Sequence, residues 1–99
     1  MCSQLAQEVV NASAGASRMF EDRAPRMLDG DETPYATLGI FLKDLGIARG
    51  AARQFGAATP IADAAENIFR QAAQQFGESI GDPAIFRLYR PDGWADATP

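Results

Sequence analysis

Residues 59–77 have the sequence TPIADAAENIFRQAAQQFG, and this stretch decides the fold class. Thr59 places a side-chain oxygen directly before Pro60, which is typical of a helix start because proline fits the first helical turn. Gly77 follows the last apolar residue, where glycine commonly ends a helix. The pattern predicts an amphipathic helix over residues 60–76. Its apolar stripe comprises Ile61, Ala64, Ala65, Ile68, Phe69, Ala72 and Phe76.

The same signals enclose the preceding segment, which begins at Thr33-Pro34 and is closed by Gly56. Ile40 and Ile47 widen its apolar stripe, so we expect the helix to contact more than one neighbour. The sequence therefore predicts a helix over residues 34–55. Its stripe comprises Leu38, Phe41, Leu42, Leu45, Ala48, Ala52 and Phe55.

The remaining segments also favour helices, because no β-type alternation of useful length occurs. Residues 29–32 are expected to form a turn, and the residues from Pro91 a loop from which Trp94 packs back. We therefore predict one compact all-α domain spanning residues 1–99. Its further helices are expected at residues 4–13, at residues 17–28 with an interruption at Pro25, and at residues 83–89 behind Asp82-Pro83.

Composition argues against several functional classes. The 99 residues carry nine Lys and Arg against thirteen Asp and Glu, a net charge of −4 and a pI near 4.6. A general nucleic-acid binder needs a basic surface instead. No apolar run approaches the ~20 residues of a membrane span, and the start lacks a signal-peptide pattern. The single cysteine, Cys2, cannot form an internal disulfide. We expect a cytoplasmic protein that binds neither nucleic acid nor membrane.

The chain contains no histidine, which removes the common acid–base and nucleophile constellations and the usual zinc ligands. No metal site is predicted. The nine glycines include no Gly-x-Gly pair and no Gly-Lys-Ser/Thr, so a phosphate-binding loop is missing as well. These residues alone do not predict a self-sufficient enzyme.

Lys43 is the main candidate for a functional side chain, because it shares a helix face with Gly39, Ile40, Ile47 and Gly50. A lysine on such a face commonly extends its ammonium group to solvent. Alternatively, the ammonium group faces a cleft and holds a carboxylate or a cofactor phosphate, which the neighbouring glycines would let approach. The residues by themselves leave both possibilities open.

Gly39, Gly46 and Gly50 lie on one side of this predicted helix. Glycine inside a helix costs up to about 1 kcal/mol relative to alanine. We therefore expect another backbone or a ligand to approach closely on that side, with crowding between helices as the simpler explanation.

Ser13 and Ser17 flank Ala-Gly-Ala and are expected to cap a turn. Arg23 and Arg26 are expected to pair at the surface with the acids near them in sequence, where such pairs contribute little stability.

Several motifs occur in an informative order. NASAGASRMFEDR covers residues 11–23, PRMLDGD residues 25–31 and IFLKDLGIA residues 40–48. Thr59-Pro-Ile-Ala and Gly81-Asp-Pro-Ala follow near the end. Together they resemble the C-terminal domain of the β-hydroxyacid dehydrogenases, the 3-hydroxyisobutyrate dehydrogenase-like family. The L-threonate dehydrogenase-like branch is the most similar, since its Ala-Gly-x-Ser-x-Met-Phe-Glu-x-Arg pattern matches residues 14–23.

This resemblance implies a compact helical domain like the C-terminal domain of 6-phosphogluconate dehydrogenase-like enzymes. The family places a Rossmann domain and a linking helix before it. The linking helix carries the general acid/base lysine in a Gly-x-x-x-Lys-x-x-x-Asn pattern. Neither the Rossmann loop nor that pattern occurs in these residues. We therefore expect no catalytic residue in this chain and no activity when it is isolated.

The resemblance also assigns roles to individual residues. Lys43 corresponds to the family lysine that contacts the bound NAD or NADP, and Asp44 and Ser17 become supporting positions near the substrate. The implied partners are the Rossmann-type half of the enzyme, a small hydroxy acid of the L-threonate or 3-hydroxyisobutyrate type, and further copies of the same subunit. Ala36 departs from the pattern of some branches, which have phenylalanine there.

A second hypothesis belongs to a different class. The chain would then be a non-catalytic helical module for oligomerisation or interaction, because wide apolar helix faces serve association equally well.

Overall fold

A computed structural model describes residues 3–90. The described part contains no β-strand, only an antiparallel bridge between Thr37 and Gly81, which confirms the all-α class. Cys2 and the predicted loop from Pro91 with Trp94 lie outside the described residues. The elements are α1 (Ser3–Asn11), α2 (Arg18–Asp29), α3 (Leu38–Gln54), α4 (Pro60–Phe76) and a 3₁₀-helix (Asp82–Leu88).

Helices α3 and α4 pack against each other as a hairpin, and each has the apolar stripe that its segment predicts. The rings of Phe41 and Phe69 stack between them with centroids 5.0 Å apart. Helix α4 has the predicted bounds, and Gly56 and Gly77 follow the two helices at positive φ angles of 71° and 91°. Glycine adopts such angles without steric cost, so both predicted stop signals are confirmed.

The predicted start of α3 at residue 34 is wrong, because the helix begins at Leu38 with Thr37 as its N-cap. The Thr37 hydroxyl oxygen accepts a hydrogen bond from the backbone N–H of Ile40 at 3.2 Å. The residues before it instead pair with the segment around Gly81. The backbone N–H of Asp82 donates to the Ala36 carbonyl at 2.9 Å, which holds this stretch outside the helix.

Gly81 is the point of closest backbone approach. A Cβ atom built there would lie 2.3 Å from the carbonyl oxygen of Glu32 and 2.6 Å from that of Thr33. Its own N–H donates to the Glu32 carbonyl at 3.2 Å. Only glycine fits this contact, which places the 3₁₀-helix against α2, α3 and α4.

The predicted interruption of α2 at Pro25 is also wrong, because the helix continues to Asp29. Pro25 has no N–H to donate to the carbonyl of Glu21, four residues earlier. Because Glu21 is exposed, water can bind that carbonyl and the helix tolerates the proline. Ser17 caps this helix by accepting a hydrogen bond from the N–H of Phe20 at 2.9 Å, as predicted. Gly30 closes the helix at a φ angle of 71°.

Ser13 also caps a turn, because its hydroxyl oxygen accepts a hydrogen bond from the N–H of Gly15 at 3.1 Å. The same hydroxyl donates to the Val10 carbonyl at 2.7 Å. Helix α1 ends at Asn11, two residues before the predicted end at Ser13.

The side chains of Thr59 and Asp82, which precede the prolines at two helix starts, do not cap those helices and bind other partners. The Thr59 hydroxyl donates to Asp63 at 2.9 Å and makes no cap hydrogen bond, although Pro60 does open α4. Asp82 lies inside the 3₁₀-helix, and its carboxylate accepts from Arg23 instead of capping it. Proline position was therefore the reliable part of these two signals.

An ionic cluster ties the outer sides of α3 and α4 together. The guanidinium of Arg49 donates to Glu66 and, at 2.6 Å, to Asp63, while Arg70 donates to Glu66 at 2.5 Å. Glu66 is only 8% exposed. The hydrogen bonds from Arg49 and then Arg70 lower the pKa of Glu66 below its ordinary value.

We predict that Gly81→Ala destabilises the chain by about 3 kcal/mol or more, because its methyl group would collide with backbone oxygens. Urea denaturation followed by circular dichroism measures the change. Gly46→Ala is the matched control, since nothing lies within 4 Å of a Cβ there. It should instead stabilise α3 by up to about 1 kcal/mol. Equal effects of the two substitutions would contradict the close approach.

Acid should weaken the α3–α4 hairpin. A carboxyl whose folded-state pKa is lowered stabilises the fold above its unfolded pKa, and that contribution disappears as pH falls through the folded pKa. We expect the urea concentration at the unfolding midpoint to decrease as the pH is lowered past about 4.5. In the Glu66→Gln variant this midpoint should depend less on pH in that range. Asp44→Asn is the control, because Asp44 is exposed and forms no ion pair within residues 3–90. An unchanged acid dependence in Glu66→Gln would contradict this role.

Candidate functional site

Lys43 and Asp44 lie side by side in the middle of α3, and both are exposed. Within residues 3–90, neither side chain forms a hydrogen bond or an ion pair. The ammonium group of Lys43 is therefore available to an anion that approaches this face of the helix. The exposure itself is equally what a solvated lysine would show.

The glycines beside Lys43 have different surroundings. A Cβ at Gly39 would lie 3.1 to 3.3 Å from atoms of Glu78, so the expected crowding is confirmed there. Among the described residues, nothing lies within 4 Å of such an atom at Gly46 or Gly50, so the expected crowding by another helix is wrong for these two. The close approach of a ligand there stays a prediction. Ile47 beside them is 64% exposed. This face of α3 is open and combines one cation with apolar and glycine surface.

Ser17 lies in a different place from Lys43. It caps α2 and lines a hollow of about 280 Å³ between α2, α3, α4 and the 3₁₀-helix, which neither Lys43 nor Asp44 lines. The structure thus keeps the predicted Lys43–Asp44 pair together and separates Ser17 from it. The hollow is mainly apolar, and its lining residues include Phe20, Met27, Phe41, Phe69 and Ile85.

One ion pair interrupts this apolar lining. Nε of Arg23 donates to Oδ2 of Asp82 at 2.8 Å, and the Asp82 side chain is 6% exposed. This hydrogen bond raises the pKa of Arg23, so its guanidinium remains charged at neutral pH. The other carboxylate oxygen of Asp82, Oδ1, is buried and has no hydrogen-bond partner among the described residues. Burying an acceptor without a donor costs free energy of folding, so Oδ1 of Asp82 is a site where a hydrogen-bond donor would be stabilising.

Sequence analysis missed this ion pair. Arg23 does pair with Asp22 at 2.5 Å, and Arg26 with Asp22 at 3.5 Å, as expected of neighbours. The more buried partner of Arg23 is 59 residues away in the chain. Gly81-Asp82 belongs to a motif that carried the family resemblance, and Asp82-Pro83 marked a helix start, but neither signal relates Asp82 to Arg23.

Two further apolar hollows share lining residues with it. Phe20, Ala24 and Met27 also line one of about 380 Å³ against α1. Phe69 and Ile85 also line one of about 500 Å³ along α4. We call these three neighbouring hollows the trough. The Cα radius of gyration is 14.8 Å, against about 13 Å for a compact domain of ~100 residues.

Within residues 3–90 there is no group of three or more cysteine or acidic side chains arranged to hold a metal ion. In the same part of the chain, no helix has the length and apolarity required to cross a membrane.

Comparisons with known proteins place these features in a family. Residues 2–89 match the family model described as the NAD-binding domain of NADP-dependent 3-hydroxyisobutyrate dehydrogenase. This match confirms the resemblance and, for the family, the predicted nicotinamide cofactor, NAD or NADP.

Individual relatives agree with the match. L-threonate dehydrogenase of Cupriavidus necator is 37% identical over 82 residues, covering 83% of this chain and 28% of the relative. L-threonate dehydrogenase of Escherichia coli K12 is 35% identical over the same length, covering 83% of this chain and 27% of the relative. The crystal structure of 3-hydroxyisobutyrate dehydrogenase from Salmonella typhimurium superposes with a TM-score of 0.82 at 33% identity, covering 89% of this chain and 31% of that one. The chain thus spans about three-tenths of the length of these relatives.

The two carboxylates that bind Arg23 provide a test of the buried pair. We predict that Asp82→Ala costs about 2–3 kcal/mol of unfolding free energy, because it leaves a half-buried guanidinium without its main partner. Asp22→Ala is the matched control, since Asp22 is 42% exposed, and should cost less than about 1 kcal/mol. Chemical denaturation of both variants measures the difference, and equal costs would argue against the Arg23–Asp82 contact.

Proposed function

The chain belongs to the 3-hydroxyisobutyrate dehydrogenase family, and from this we propose that it is the helical C-terminal half of an NAD(P)-dependent hydroxyacid dehydrogenase. Its length relative to the L-threonate dehydrogenases supports this assignment. The other half would be a Rossmann-type N-terminal domain with its linking helix. The substrate would be a small hydroxy acid of the L-threonate or 3-hydroxyisobutyrate type.

The observation that carries this proposal is the open face of α3 around Lys43. Its ammonium group has no anionic partner within residues 3–90, and the positions of Gly46 and Gly50 leave space beside it. A flexible point charge on such a surface suits a phosphate of the cofactor or the carboxylate of the substrate. We assign Lys43 to hold that negative charge where the two halves meet.

The remaining chemistry is divided between the halves. When bound, the nicotinamide cofactor supplies the hydride acceptor. The general acid/base lysine would come from the linking helix, since these 99 residues contain no histidine and no Gly-x-x-x-Lys-x-x-x-Asn pattern. Asp44 would support Lys43 from the next position. Ser17, whose hydroxyl oxygen already caps α2, would contribute a polar contact on the substrate side.

The cellular setting follows from the same assignment. We propose a cytoplasmic enzyme that assembles as a homo-oligomer. Large exposed apolar side chains support assembly, because Phe55 is 86% and Ile61 85% exposed.

We predict that the isolated chain does not oxidise L-threonate or 3-hydroxyisobutyrate with NAD or NADP. Turnover should appear when the chain is mixed with the N-terminal fragment of Cupriavidus necator L-threonate dehydrogenase that ends where the similarity begins. Production of NADH or NADPH, measured by absorbance, follows the reaction. Turnover by the isolated chain would overturn the proposed division of the site.

In the reconstituted enzyme, Lys43→Ala should lower kcat/KM about 10- to 100-fold, because a charge-assisted contact is lost. Lys43→Arg should recover part of the loss. Arg53→Ala is the matched control, since it removes an exposed cation from the last turn of the same helix and should change kcat/KM less than about twofold. Equal rates for Lys43→Ala and the unsubstituted chain would remove Lys43 from the site.

The alternative is a non-catalytic helical association module, which the exposed apolar side chains also favour. Self-association of the isolated chain without any reconstituted turnover would support that function instead.

A further inference from the structure

We propose that Arg18 and Arg26 of α2, together with Tyr35, form a binding site for a small oxyanion, that is, a molecule bearing a carboxylate or a phosphate. The site is separate from the open face of α3, because Lys43 does not line it. It does not depend on the proposed function, since it consists of residues of this chain and is tested by binding alone.

A broad open hollow of about 640 Å³ lies between α2 and the segment that precedes α3. Its charged lining consists of three guanidinium groups and one carboxylate. The lining residues are Arg18, Met19, Asp22, Arg23, Arg26 and Tyr35. Arg23 is also bound by Asp82, a carboxylate from outside the hollow. Two guanidinium groups therefore remain against the single carboxylate of Asp22, and such a local excess of positive charge attracts anions.

The two remaining arginines have donors to spare. Arg18, Asp22 and Arg26 are four residues apart in α2 and so lie on one face of the helix. Arg18 is exposed and has no hydrogen bond or ion pair within residues 3–90. Nη2 of Arg26 donates to Oδ1 of Asp22 at 3.5 Å, which is long for a hydrogen bond. The same carboxylate binds Arg23 at 2.5 Å, so it serves two guanidinium groups and satisfies Arg26 poorly.

One nitrogen atom of Arg26 specifies an acceptor. Its Nη1 is buried and has no hydrogen-bond partner among the described residues, which costs free energy of folding. The guanidinium lies over the Tyr35 ring, 4.6 Å from its centroid. This contact covers a face of the planar group and leaves its N–H donors, which lie in the plane, for an acceptor. Tyr35 is 73% exposed, so its ring is free to move aside as a ligand reaches Nη1.

These donors favour a small oxyanion as the ligand. The planar guanidinium matches two oxygen atoms of one carboxylate or phosphate, and charge-assisted hydrogen bonds of this kind are strong. An apolar ligand would leave Nη1 of Arg26 without an acceptor. A polyanion such as nucleic acid would be repelled by the rest of a chain with a net charge of −4. The neighbouring Asp31 does not line the hollow, and its carboxylate accepts hydrogen bonds from Thr33 instead.

The test is a titration of the isotopically labelled 99-residue chain with inorganic phosphate, followed by NMR near neutral pH. Sodium chloride keeps the ionic strength constant, so that charge screening does not change. The side-chain N–H resonances of Arg18 and Arg26 and the ring resonances of Tyr35 should shift together and saturate, with a dissociation constant of about 1 mM or below. If they do not, and the substrate and cofactor probes described below do not saturate them either, the site is overturned.

Two variants remove the proposed donors. Arg26→Gln should weaken binding at least about tenfold and Arg18→Gln at least about fivefold, because each removes charge-assisted hydrogen bonds. Since Arg18 is exposed and unpaired within residues 3–90, its replacement leaves the fold intact and keeps the test decisive if Arg26→Gln lowers stability. Urea denaturation of both variants checks this.

Two control variants remove a cation elsewhere. Arg53→Gln changes the net charge equally at an exposed position outside the hollow, and should leave the dissociation constant within about twofold. Weakening by Arg53→Gln as large as that by Arg18→Gln would overturn the site. Binding that is lost in Lys43→Gln and retained in both α2 variants would place the anion on α3 and would also overturn it.

Further titrations identify the source of the oxyanion. Saturation by sodium L-threonate would assign the site to the carboxylate of a substrate. Saturation by NADP but not by NAD would assign it to the phosphate on the cofactor ribose. Saturation by inorganic phosphate alone would assign it to a separate phosphate-bearing effector. Each of these results supports the site, and the absence of saturation by all of the probes overturns it.

The outcomes are independent of the proposed function. Turnover in the reconstituted enzyme without saturable binding at Arg18 and Arg26 would overturn this site and leave the proposed function standing. Saturable binding that requires both arginines, without reconstituted turnover, would support the site and argue against the function.

Discussion

The absence of a side chain at Gly81 is the constraint on which most of the structure depends. Its backbone lies against the carbonyl oxygens of Glu32 and Thr33, closer than any Cβ atom permits. This contact holds residues 33–37 outside α3 and positions the 3₁₀-helix against three α-helices. The pairs of Arg23 with Asp82 and of Arg87 with Glu32 then join segments more than fifty residues apart.

Ion pairs between distant segments supplement a small apolar core. Glu66, for example, is 8% exposed and binds two arginines, whereas apolar side chains such as Phe55 and Ile61 are largely exposed. A domain that is stabilised mainly by its own apolar core would bury more of its apolar surface. The described part of the chain is therefore held together by contacts between distant segments and leaves much of its apolar surface exposed.

The two candidate surfaces differ in the physical forces they offer. The face around Lys43 presents one flexible cation beside open glycine positions, which suits an anionic ligand. The trough presents apolar surface and, among the described residues, one buried acceptor without a partner, Oδ1 of Asp82. Sequence analysis identified the first because a lysine among apolar and glycine residues stands out locally. It missed the second because Arg23 and Asp82 are 59 residues apart and each has ordinary neighbours.

The sequence by itself determined the all-α class, the bounds of α4, the positive-φ glycines that follow α3 and α4, and the family. These depend on local periodicity, on backbone sterics and on motifs that lie within short stretches. Only the tertiary structure decided where α3 begins, what Asp82 binds and which glycines are crowded. Thr33-Pro34 carries a valid helix-start signal, but hydrogen bonds with the segment around Gly81 hold the chain outside a helix until Thr37. Such contacts join residues that no local pattern relates, so they become visible only once the chain has folded.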